Sequence, residues 1–405
     1  MLPVIEAQQR ILAVFSPLVG EVIGIDRALG RVLAEPVVAR LSQPPAAVSA
    51  MDGYAVRAAD LGTLPASLRV IGTVAAGIAP AMSLKAGEAA RIFTGAVLPQ
   101  GGDTIVIQEN CDRDGDTVVV REGTTNLGQH VRAEGNDFRL GAVGLEAGRL
   151  LSARDIALAA AMNWPNVTVS RRPRVALLST GDELQHPGEP LGPAQIIASN
   201  GIGLAAFVTA CGGDAINLGI ARDNMADLHR ALDGARGADV LVTTGGASVG
   251  ELDLIQQALK DKGAKLDFWK IAMRPGKPVM FGTLGDLPVL GLPGNPVSAL
   301  VTATLLLRPI IQKLLGQKGI DTAPAFARLG TALKANDQRQ DYLRATLTRG
   351  ADGGLVASPF PKQDSAMLSL IAKADALIIR PPHAPAAQEG DVTEILPLSG
   401  GCLGI

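Results

Sequence analysis

The chain has 405 residues, a formal net charge of −2 and 19% charged residues. A balance this close to neutral lacks the basic field that attracts nucleic acid, so we expect no nucleic-acid partner. Hydrophobic residues make up 47% of the chain, which is typical of a globular protein, and the length suffices for roughly two to four domains.

The three cysteines, Cys111, Cys211 and Cys402, are far apart and form no C-x-x-C pair. Neither a disulfide framework nor a cysteine zinc site is therefore indicated. The N-terminus has no basic segment ahead of an apolar stretch, so we expect no signal peptide. These features predict a cytoplasmic protein.

The longest apolar helix candidate, residues 297–307, is followed by Arg308 and Pro309. We expect these two residues to end the helix, because proline disrupts a helix interior and a bilayer requires about 20 apolar residues. The sequence therefore predicts no membrane partner.

The predicted elements of the N-terminal half are two helices that flank a β-rich region. Residues 1–25 carry apolar side chains at helical spacing, and we expect a helix that ends or kinks at Pro17. From about 30 to 141, short β-branched runs separated by Gly, Pro and Asp predict a β-rich domain. Ser152 then offers an N-cap with Asp155 at the third helical position, and we expect this second helix to pack beside the first.

Strand-like and helical runs alternate after residue 174, which predicts a parallel sheet with crossover helices. The strand-like runs lie at 175–178 and 240–242, and the helical runs lie around 203–211 and 227–232. After about residue 316 the pattern becomes β-rich again. We expect a small C-terminal barrel or sandwich there.

Three glycine-rich segments each follow a short apolar run. They are L-L-S-T-G-D-E from Leu177, L-V-T-T-G-G-A-S-V-G from Leu241 and G-L-P-G-N-P-V-S from Gly291. At the strand ends of an open α/β sheet, such turns expose backbone N–H groups to phosphates, usually ahead of a helix. Together they predict a site for a phosphorylated, anionic molecule.

Carboxylates follow the first two of these turns. Asp182 and Glu183 come directly after the first, and Glu251 and Asp253 follow the second. Mg²⁺ prefers one or two carboxylates together with phosphate oxygens, so the pattern indicates a magnesium site. An acidic N-cap pair at the start of a helix is the alternative interpretation of the first two residues.

Three cations, Lys270, Arg274 and Lys277, lie in the segment W-K-I-A-M-R-P-G-K-P. Its prolines and glycine argue against a continuous helix and predict a stiff loop that displays the cations. Such a loop is suited to oxyanions, and a solvated basic loop is the alternative.

Several other sites are not indicated. The dinucleotide-like pattern from Gly201 follows an apolar run of only three residues, so NAD is not expected. The segment from Pro275 to Pro278 lacks the glycine and the Ser or Thr of a P-loop. No H-x-x-x-H pair or G-x-S-x-G elbow occurs, so zinc sites and hydrolase triads are not predicted.

Five sequence segments, in order along the chain, carry a resemblance to a known family. They are S-A-M-D-G-Y-A from Ser49, S-T-G-D-E-L from Ser179, T-G-G-A-S-V-G from Thr244, R-P-G-K-P from Arg274 and G-L-P-G-N-P-V-S from Gly291. Their combination resembles the MoeA family of molybdopterin molybdenumtransferases. The resemblance implies insertion of molybdate into adenylylated molybdopterin with release of AMP, and a requirement for Mg²⁺ or a similar ion. It also implies a homodimer, with an adenylyltransferase and apo-molybdoenzymes as further partners.

The fold implied by the resemblance is a multidomain α/β and β protein. A central three-layer α/β molybdopterin-binding domain is flanked by a β-rich N-terminal lobe and a small C-terminal β-barrel. The expected domains are a helical linker domain (1–26 plus 141–171), the β-rich domain (27–140), the α/β domain (172–317) and the barrel (318–405).

The resemblance also implies the site residues. The implied catalytic residues are Glu183, Asp253, Asp52, Thr94 and Asp223. The residues for the pterin nucleotide are Thr180, Gly181, Asp182, Gly245, Gly246, Ser248, Gly250, Pro293, Gly294, Asn295 and Pro296. Molybdate is assigned to Lys270, Arg274, Pro275, Lys277, Ser298, Arg344 and Ser365, and the metal to Asp182, Glu183 and Asp253. The β-rich domain of a partner subunit, which carries Asp52 and Thr94, is expected to complete the cleft.

One residue departs from the family pattern, because Arg274 stands where many relatives carry lysine. Arginine presents a planar fork in place of a point charge, so the anion is expected to sit differently. Two other functions remain open, a molybdopterin adenylyltransferase of the same pterin-binding fold and a non-catalytic cofactor-binding scaffold. The choice between molybdate and tungstate also remains open.

Overall fold

The computed structural model describes residues 1–123, 126–245, 254–318 and 325–398. Within these ranges the strands form three six-stranded sheets and four two-stranded pairs. One large sheet lies in an N-terminal lobe, one in the central domain and one in the C-terminal domain. The multidomain α/β and β architecture expected from the sequence is thereby confirmed.

The N-terminal half is built from short strands and two α-helices. The helices are α1 (Val4–Leu12) and α2 (Ala153–Ala161). The strands are β1 (Gly20–Gly24), β2 (Val37–Val38), β3 (Val48–Ser49), β4 (Gly53–Val56), β5 (Ala66–Val74), β6 (Glu88–Ile92), β7 (Thr104–Ile107), β8 (Cys111–Asp114), β9 (Thr117–Val120), β10 (Val131–Arg132), β11 (Val143–Leu145) and β12 (Asn166–Ser170). The lobe sheet has the order β7-β4-β6-β5-β9-β8, and β1 pairs with β12 in an antiparallel ribbon.

The first helix is shorter than expected and packs elsewhere. It ends at Leu12, ahead of Pro17, and the chain continues into β1. Its buried residues, Val4, Ala7 and Ile11, belong to the core of the central domain, whereas Ala159 of α2 belongs to a separate core of the N-terminal half. The prediction that the two helices pack together is therefore wrong. Helical spacing marks which face of α1 is apolar but carries no information about what covers that face.

The start of α2 was predicted correctly. Ser152 is the N-cap, its hydroxyl accepts a hydrogen bond from the backbone N–H of Asp155, and the Asp155 carboxylate accepts one in return from the backbone N–H of Ser152. This reciprocal arrangement satisfies donors that the first helical turn leaves unpaired.

The central domain carries these elements: β13 (Arg174–Thr180), β14 (Leu184–Gln185), β15 (Ile196–Ile197), α3 (Ser199–Ala210), β16 (Asp214–Ala221), α4 (Met225–Asp233), β17 (Val240–Thr244), α5 (Leu254–Asp261), β18 (Lys265–Lys270), β19 (Met273–Arg274), β20 (Pro278–Leu284), β21 (Leu287–Leu292), α6 (Pro296–Thr302) and α7 (Arg308–Leu314). Its sheet has the order β16-β13-β17-β21-β20-β18. The first four strands are parallel and the last two are antiparallel to their neighbours.

Alternating side chains of the central strands face two different cores. Val175 and Leu177 of β13 pack with α3, α6 and α7, whereas Ala176 and Leu178 pack with α4 and α5. Because successive side chains of a strand point to opposite faces, this alternation places helices on both sides of the sheet. The domain is a three-layer α/β structure, as expected.

The helix that follows β21 does not end at Arg308, contrary to the expectation. It runs through a π-helical segment, Ala303–Leu307, directly into α7, so that Pro296–Leu314 forms one 19-residue helix. Pro309 has no backbone N–H to donate, and the π turn directly ahead of it shifts the hydrogen-bond pattern so that the helix continues without that donor. By length and composition this helix could span a membrane, and 72% of its most apolar stretch is buried inside the protein.

The C-terminal domain is a closed β-barrel. It comprises β22 (Ala325–Leu329), β23 (Gln340–Arg349), β24 (Leu355–Pro359), α8 (Leu368–Ile371), β25 (Ala376–Arg380) and β26 (Val392–Pro397). The ring runs β23-β24-β22-β26-β25 and closes through the β23–β25 pairing, which decides for a barrel over a sandwich. The short strand β19 of the central domain pairs in parallel with β23 and joins the two domains.

Candidate substrate cleft

The first glycine turn, the third turn and the start of the second, up to Gly245, meet at one edge of the central sheet. Strands β13, β17 and β21 are adjacent and parallel, so their carboxyl ends lie side by side. A Cβ at Gly245, which has φ +94°, would overlap the carbonyl oxygen of Thr180, and one at Gly294 would lie 3.6 Å from the Cα of Gly245. The turns are therefore in contact, and the approach of one backbone to another requires glycine.

The third turn is held from two sides. Asn200 at the start of α3 donates from Nδ2 to the carbonyl oxygen of Gly294 at 2.6 Å. Asn295 donates from Nδ2 to Oγ of Ser365 in the barrel at 2.7 Å, and the carbonyl oxygen of Ser365 accepts from the N–H of Val297 at 3.1 Å. The turn thus links the central sheet to the barrel at the N-terminus of the long helix.

These turns border a cleft of about 960 Å³ between the central domain and the barrel. Its wall is formed by the ends of β13 and β17, the β14–β15 ribbon, the segment 274–278, the third turn and the barrel loop 363–368. The volume lies near the upper end of ordinary ligand pockets, so a molecule of nucleotide size or larger fits. The first and third turns, Arg274 and Ser365 thus line one space although they are distant in sequence.

The predicted acidic residues divide between two positions. Glu183 is exposed and lines the cleft, and no described residue binds its carboxylate. Asp182 is not among the residues that line the cleft. Its side chain is directed at Asp223, whose backbone N–H donates a hydrogen bond to Oδ1 of Asp182 at 3.1 Å. Asp223 accepts in turn from the backbone N–H of Asp182 at 3.4 Å. This pair joins the first turn to the end of β16.

The donor set at Glu183 is compatible with Mg²⁺. An unpaired carboxylate beside glycine turns that would hold phosphate oxygens is the combination that Mg²⁺ uses when it binds with a nucleotide. In the parts of the chain that the structure describes, no group of three His, Cys, Asp or Glu residues could hold a metal without help from a ligand. The predicted residues Gly246, Ser248, Gly250 and Asp253 lie outside the described residues.

The segment 270–277, which we call the cation loop, contains two cleft cations of different character. Lys277 lines the cleft, and its ammonium has no carboxylate partner among the described residues. Arg274 also lines the cleft, but its guanidinium is paired in a fork with Asp341 of the barrel through Nε and Nη2. Lys270 lies at the end of β18, outside the residues that line the cleft. Pro275 and Ser298 line it.

Arg344 of the barrel is 1% exposed and lies behind the loop that borders the cleft. It donates to Oε1 of Gln363 at 3.2 Å and to the carbonyl oxygens of Met367 and Lys362 at 3.4 and 3.5 Å. Burial lowers the pKa of its guanidinium, and the charge of Asp364 opposes that shift. The structure therefore places this predicted molybdate residue where it holds the loop that carries Ser365.

Asp52 and Thr94 lie together in the N-terminal lobe, away from this cleft. The Asp52 carboxylate accepts two hydrogen bonds from Thr94, from its N–H and its hydroxyl. These bonds hold the pKa of Asp52 below its usual value. The two positions carried over from the family resemblance are thus direct partners, 42 residues apart in sequence.

Sequence reasoning missed Asn200 and Asp341. Asn200 directly precedes the rejected dinucleotide-like segment, and an asparagine at a helix start indicates only a cap. Asp341 is the second residue of β23 and has no local signal, because its partner is 67 residues away in another domain.

The fold and the cleft define a multidomain α/β protein with a cleft at the carboxyl ends of its parallel strands, a place suited to an anionic ligand. Three family models match the chain in order: the MoeA N-terminal region (domain I and II) over residues 2–163, a probable molybdopterin binding domain over 176–313, and the MoeA C-terminal region (domain IV) over 327–398.

Relatives match over nearly the whole chain. A molybdopterin molybdenumtransferase of Nostoc sp. is 41% identical over 336 residues, which cover 81% of this chain and 77% of the relative. Another, of Haemophilus influenzae, is 34% identical over 385 residues and covers 95% of both chains. The crystal structure of a molybdopterin biosynthesis MoeA protein from Pyrococcus horikoshii has a TM-score of 0.86 and 31% identity, covering 99% of this chain and 100% of that one. The chain belongs to the MoeA family of molybdopterin molybdenumtransferases, which are transferases, and the resemblance stated from the sequence is confirmed.

Proposed function

We propose that this chain inserts molybdenum into adenylylated molybdopterin, with molybdate as the metal source and AMP as the second product. The observation that carries the proposal is the convergence of the first and third glycine turns, Glu183, Lys277 and Ser365 on one cleft. One part of that cleft offers backbone donors for phosphates and the other offers a cation and hydroxyls for a tetrahedral oxyanion.

Each part of the cleft has a role in this reaction. The glycine turns hold the pyrophosphate through backbone N–H groups, and the long helix directs its N-terminus towards the same anion. Lys277, Ser298 and Ser365 hold molybdate, and Arg344 positions the loop that carries Ser365. These groups orient the two substrates and leave the metal transfer to the ligand's own chemistry.

Glu183, together with Asp253, which follows the second turn, would hold Mg²⁺. When bound, this ion neutralises charge on the pyrophosphate and makes its anhydride easier to cleave. Asp182 and Asp223 act by fixing the first turn, since their hydrogen bonds are made to each other's backbone.

We assign Asp52 and Thr94 to the cleft of a second copy of the chain in a homodimer. The pair lies in the N-terminal lobe and does not line the described cleft of its own chain. An exposed carboxylate with a lowered pKa stays ionised and is suited to bind a cation or to orient a substrate hydroxyl.

The test is AMP release from purified adenylylated molybdopterin with Mg²⁺, with and without molybdate, followed by reconstitution of an apo-molybdoenzyme. The proposal predicts molybdate-dependent release and an active enzyme. Glu183→Gln should lower the rate at least tenfold, whereas Glu146→Gln, an exposed carboxylate of the N-terminal half, should not. Nucleotide binding without release would indicate a scaffold, and AMP transfer from ATP to molybdopterin would indicate an adenylyltransferase; either result contradicts the proposal.

A further inference from the structure

Arg274 is a cleft cation whose charge is already compensated. Its Nε donates to Oδ1 of Asp341 at 2.9 Å and its Nη2 donates to Oδ2 of the same carboxylate. Nη1 lies 3.6 Å from Oδ2 of Asp337, and Nη2 also donates to Oδ1 of Asn336 at 3.3 Å. Much of the donor capacity of the guanidinium is thus directed at the barrel and away from a cleft ligand.

The surrounding charges balance. Asp341 is 6% exposed, and a carboxylate so buried requires a cation beside it. Asp337 binds Arg339 at 2.7 Å, and that hydrogen bond, with the backbone N–H of Arg339 and the charge of Arg274, lowers the pKa of Asp337 to about 2. The four charged groups therefore sum to about zero, and Arg274 offers a dianion little net attraction.

The backbone also connects the segment around Arg274 to the barrel. Arg274 lies on β19, which pairs in parallel with β23, so that Arg274 and Asp341 are directly in register. The N–H of Gln340 donates to the carbonyl oxygen of Ala272 at 2.9 Å. The cation loop is thus attached to the barrel by both main chain and side chain at one point.

Lys277 follows that point by three residues. The intervening residues leave little slack, because Pro275 has a fixed φ and Gly276 is packed so closely that an added Cβ would lie 2.5 Å from Cγ2 of Thr302 and 3.2 Å from the Met273 side chain. A shift of Arg274 is therefore transmitted to Lys277, whose ammonium has no acidic partner among the described residues.

We propose that Asp341 and Arg274 form an interdomain clamp that positions Lys277 for the oxyanion, and that Arg274 is a positioning residue that does not itself bind the oxyanion. The inference deepens the proposed function, and its kinetic test rests on that function. The planar fork of arginine forms the two parallel hydrogen bonds that link the loop to the barrel, which a lysine cannot form.

The kinetic test compares Arg274→Gln, Asp341→Asn, the double variant and Arg274→Lys. The clamp predicts that the first three raise the KM for molybdate by a similar factor of about ten, with kcat within about twofold of the original. It also predicts that Arg274→Lys resembles Arg274→Gln, because lysine cannot form the two parallel hydrogen bonds. The matched control is the pair Arg328 and Asp352 of the same barrel, whose Nε–Oδ2 distance is 3.7 Å. Arg328→Gln and Asp352→Asn should leave the KM unchanged.

Two results would overturn the clamp. If Arg274→Gln weakens molybdate binding while Asp341→Asn leaves it unchanged or strengthens it, then Arg274 binds the anion directly. Hydrogen exchange of the ligand-free protein tests the clamp independently of activity. Asp341→Asn should increase exchange at the backbone amides of residues 271–277. Unchanged exchange would contradict the clamp. If the original chain neither binds molybdate nor releases AMP, the proposed function fails, and the exchange measurement alone decides the clamp.

Discussion

The carboxylate of Asp52 accepts two hydrogen bonds from Thr94, both at 2.8 Å and both at the same oxygen. The bond from the Thr94 backbone N–H is the larger cause of the lowered pKa of Asp52, and the hydroxyl adds to it. Because the folded pKa lies below the unfolded value of about 3.9, the ionised carboxylate stabilises the fold above that pH, and the contribution is lost as pH falls through the folded pKa.

Thr94→Val should raise the pKa of Asp52 only part of the way to its ordinary value, because the backbone N–H remains. Carboxyl carbon NMR titration measures this shift directly. Thr117→Val, at an exposed position of the same lobe sheet, should leave the Asp52 pKa where it is. An unchanged pKa in the Thr94 variant would mean that the hydroxyl does not contribute.

Gly245→Ala should cost more stability than another glycine substitution at a similar φ. Gly245 has φ +94° and an added Cβ would overlap Thr180, whereas Gly237 has φ +84° and nothing within 4 Å. Gly237→Ala should cost about 1 kcal/mol, the ordinary penalty of a left-handed backbone, and Gly245→Ala should exceed it by at least about 1 kcal/mol. Urea unfolding of the two variants measures the difference, and equal losses would contradict contact between the turns.

Ser152→Ala should lower the free energy of unfolding of the N-terminal half by about 1 kcal/mol, since it removes the hydroxyl half of the capping box. In a Trp269→Phe background, Trp164 is the remaining tryptophan and lies against the core that α2 covers, so its fluorescence reports local unfolding in urea. Ser67→Ala, an exposed serine of β5, is the control and should change the midpoint little.

Asn295 and Ser365 should be energetically coupled across the cleft. Their hydrogen bond of 2.7 Å joins the third glycine turn to the barrel, so removing either partner removes the same interaction. A double-mutant cycle with Asn295→Ala and Ser365→Ala, measured by urea unfolding, should give a coupling of about 1 kcal/mol. The cycle of Asn295→Ala with Ser358→Ala, a serine of β24, should be additive. Additivity in the first cycle would mean that the bond contributes nothing.

Local signals in the sequence predicted the features that depend on neighbouring residues. Ser152 and Asp155 lie three positions apart, and the capping box requires nothing else. The segments ending at Thr180, Thr244 and Leu292 predicted strands followed by turns, and the parallel sheet then brought the turns to one edge. Steric and hydrogen-bond preferences of a few adjacent residues are sufficient for both results.

Features that depend on distant partners were not predictable in this way. A helix near the N-terminus was predicted correctly, but the core that covers it was not, because amphipathic spacing does not identify the opposing surface. Pro309 was expected to end the helix that follows β21. The helix instead continues past Pro309, because a π segment precedes the proline and most of the helix is buried by other parts of the protein. Arg274 was predicted as a cleft cation, yet its guanidinium is engaged by Asp341 across the domain boundary.

The sequence by itself determined the family, the layered α/β and barrel architecture and the types of residue that the cleft brings together. Only the tertiary structure decided which of those residues face one another: it turned Glu183 towards the cleft and Asp182 towards Asp223, and left Lys277 without an acidic partner among the described residues. The physical reason is that a charged side chain acquires its role from groups within a few ångströms, and in this chain those groups are distant in sequence, as Asp182 and Asp223 are.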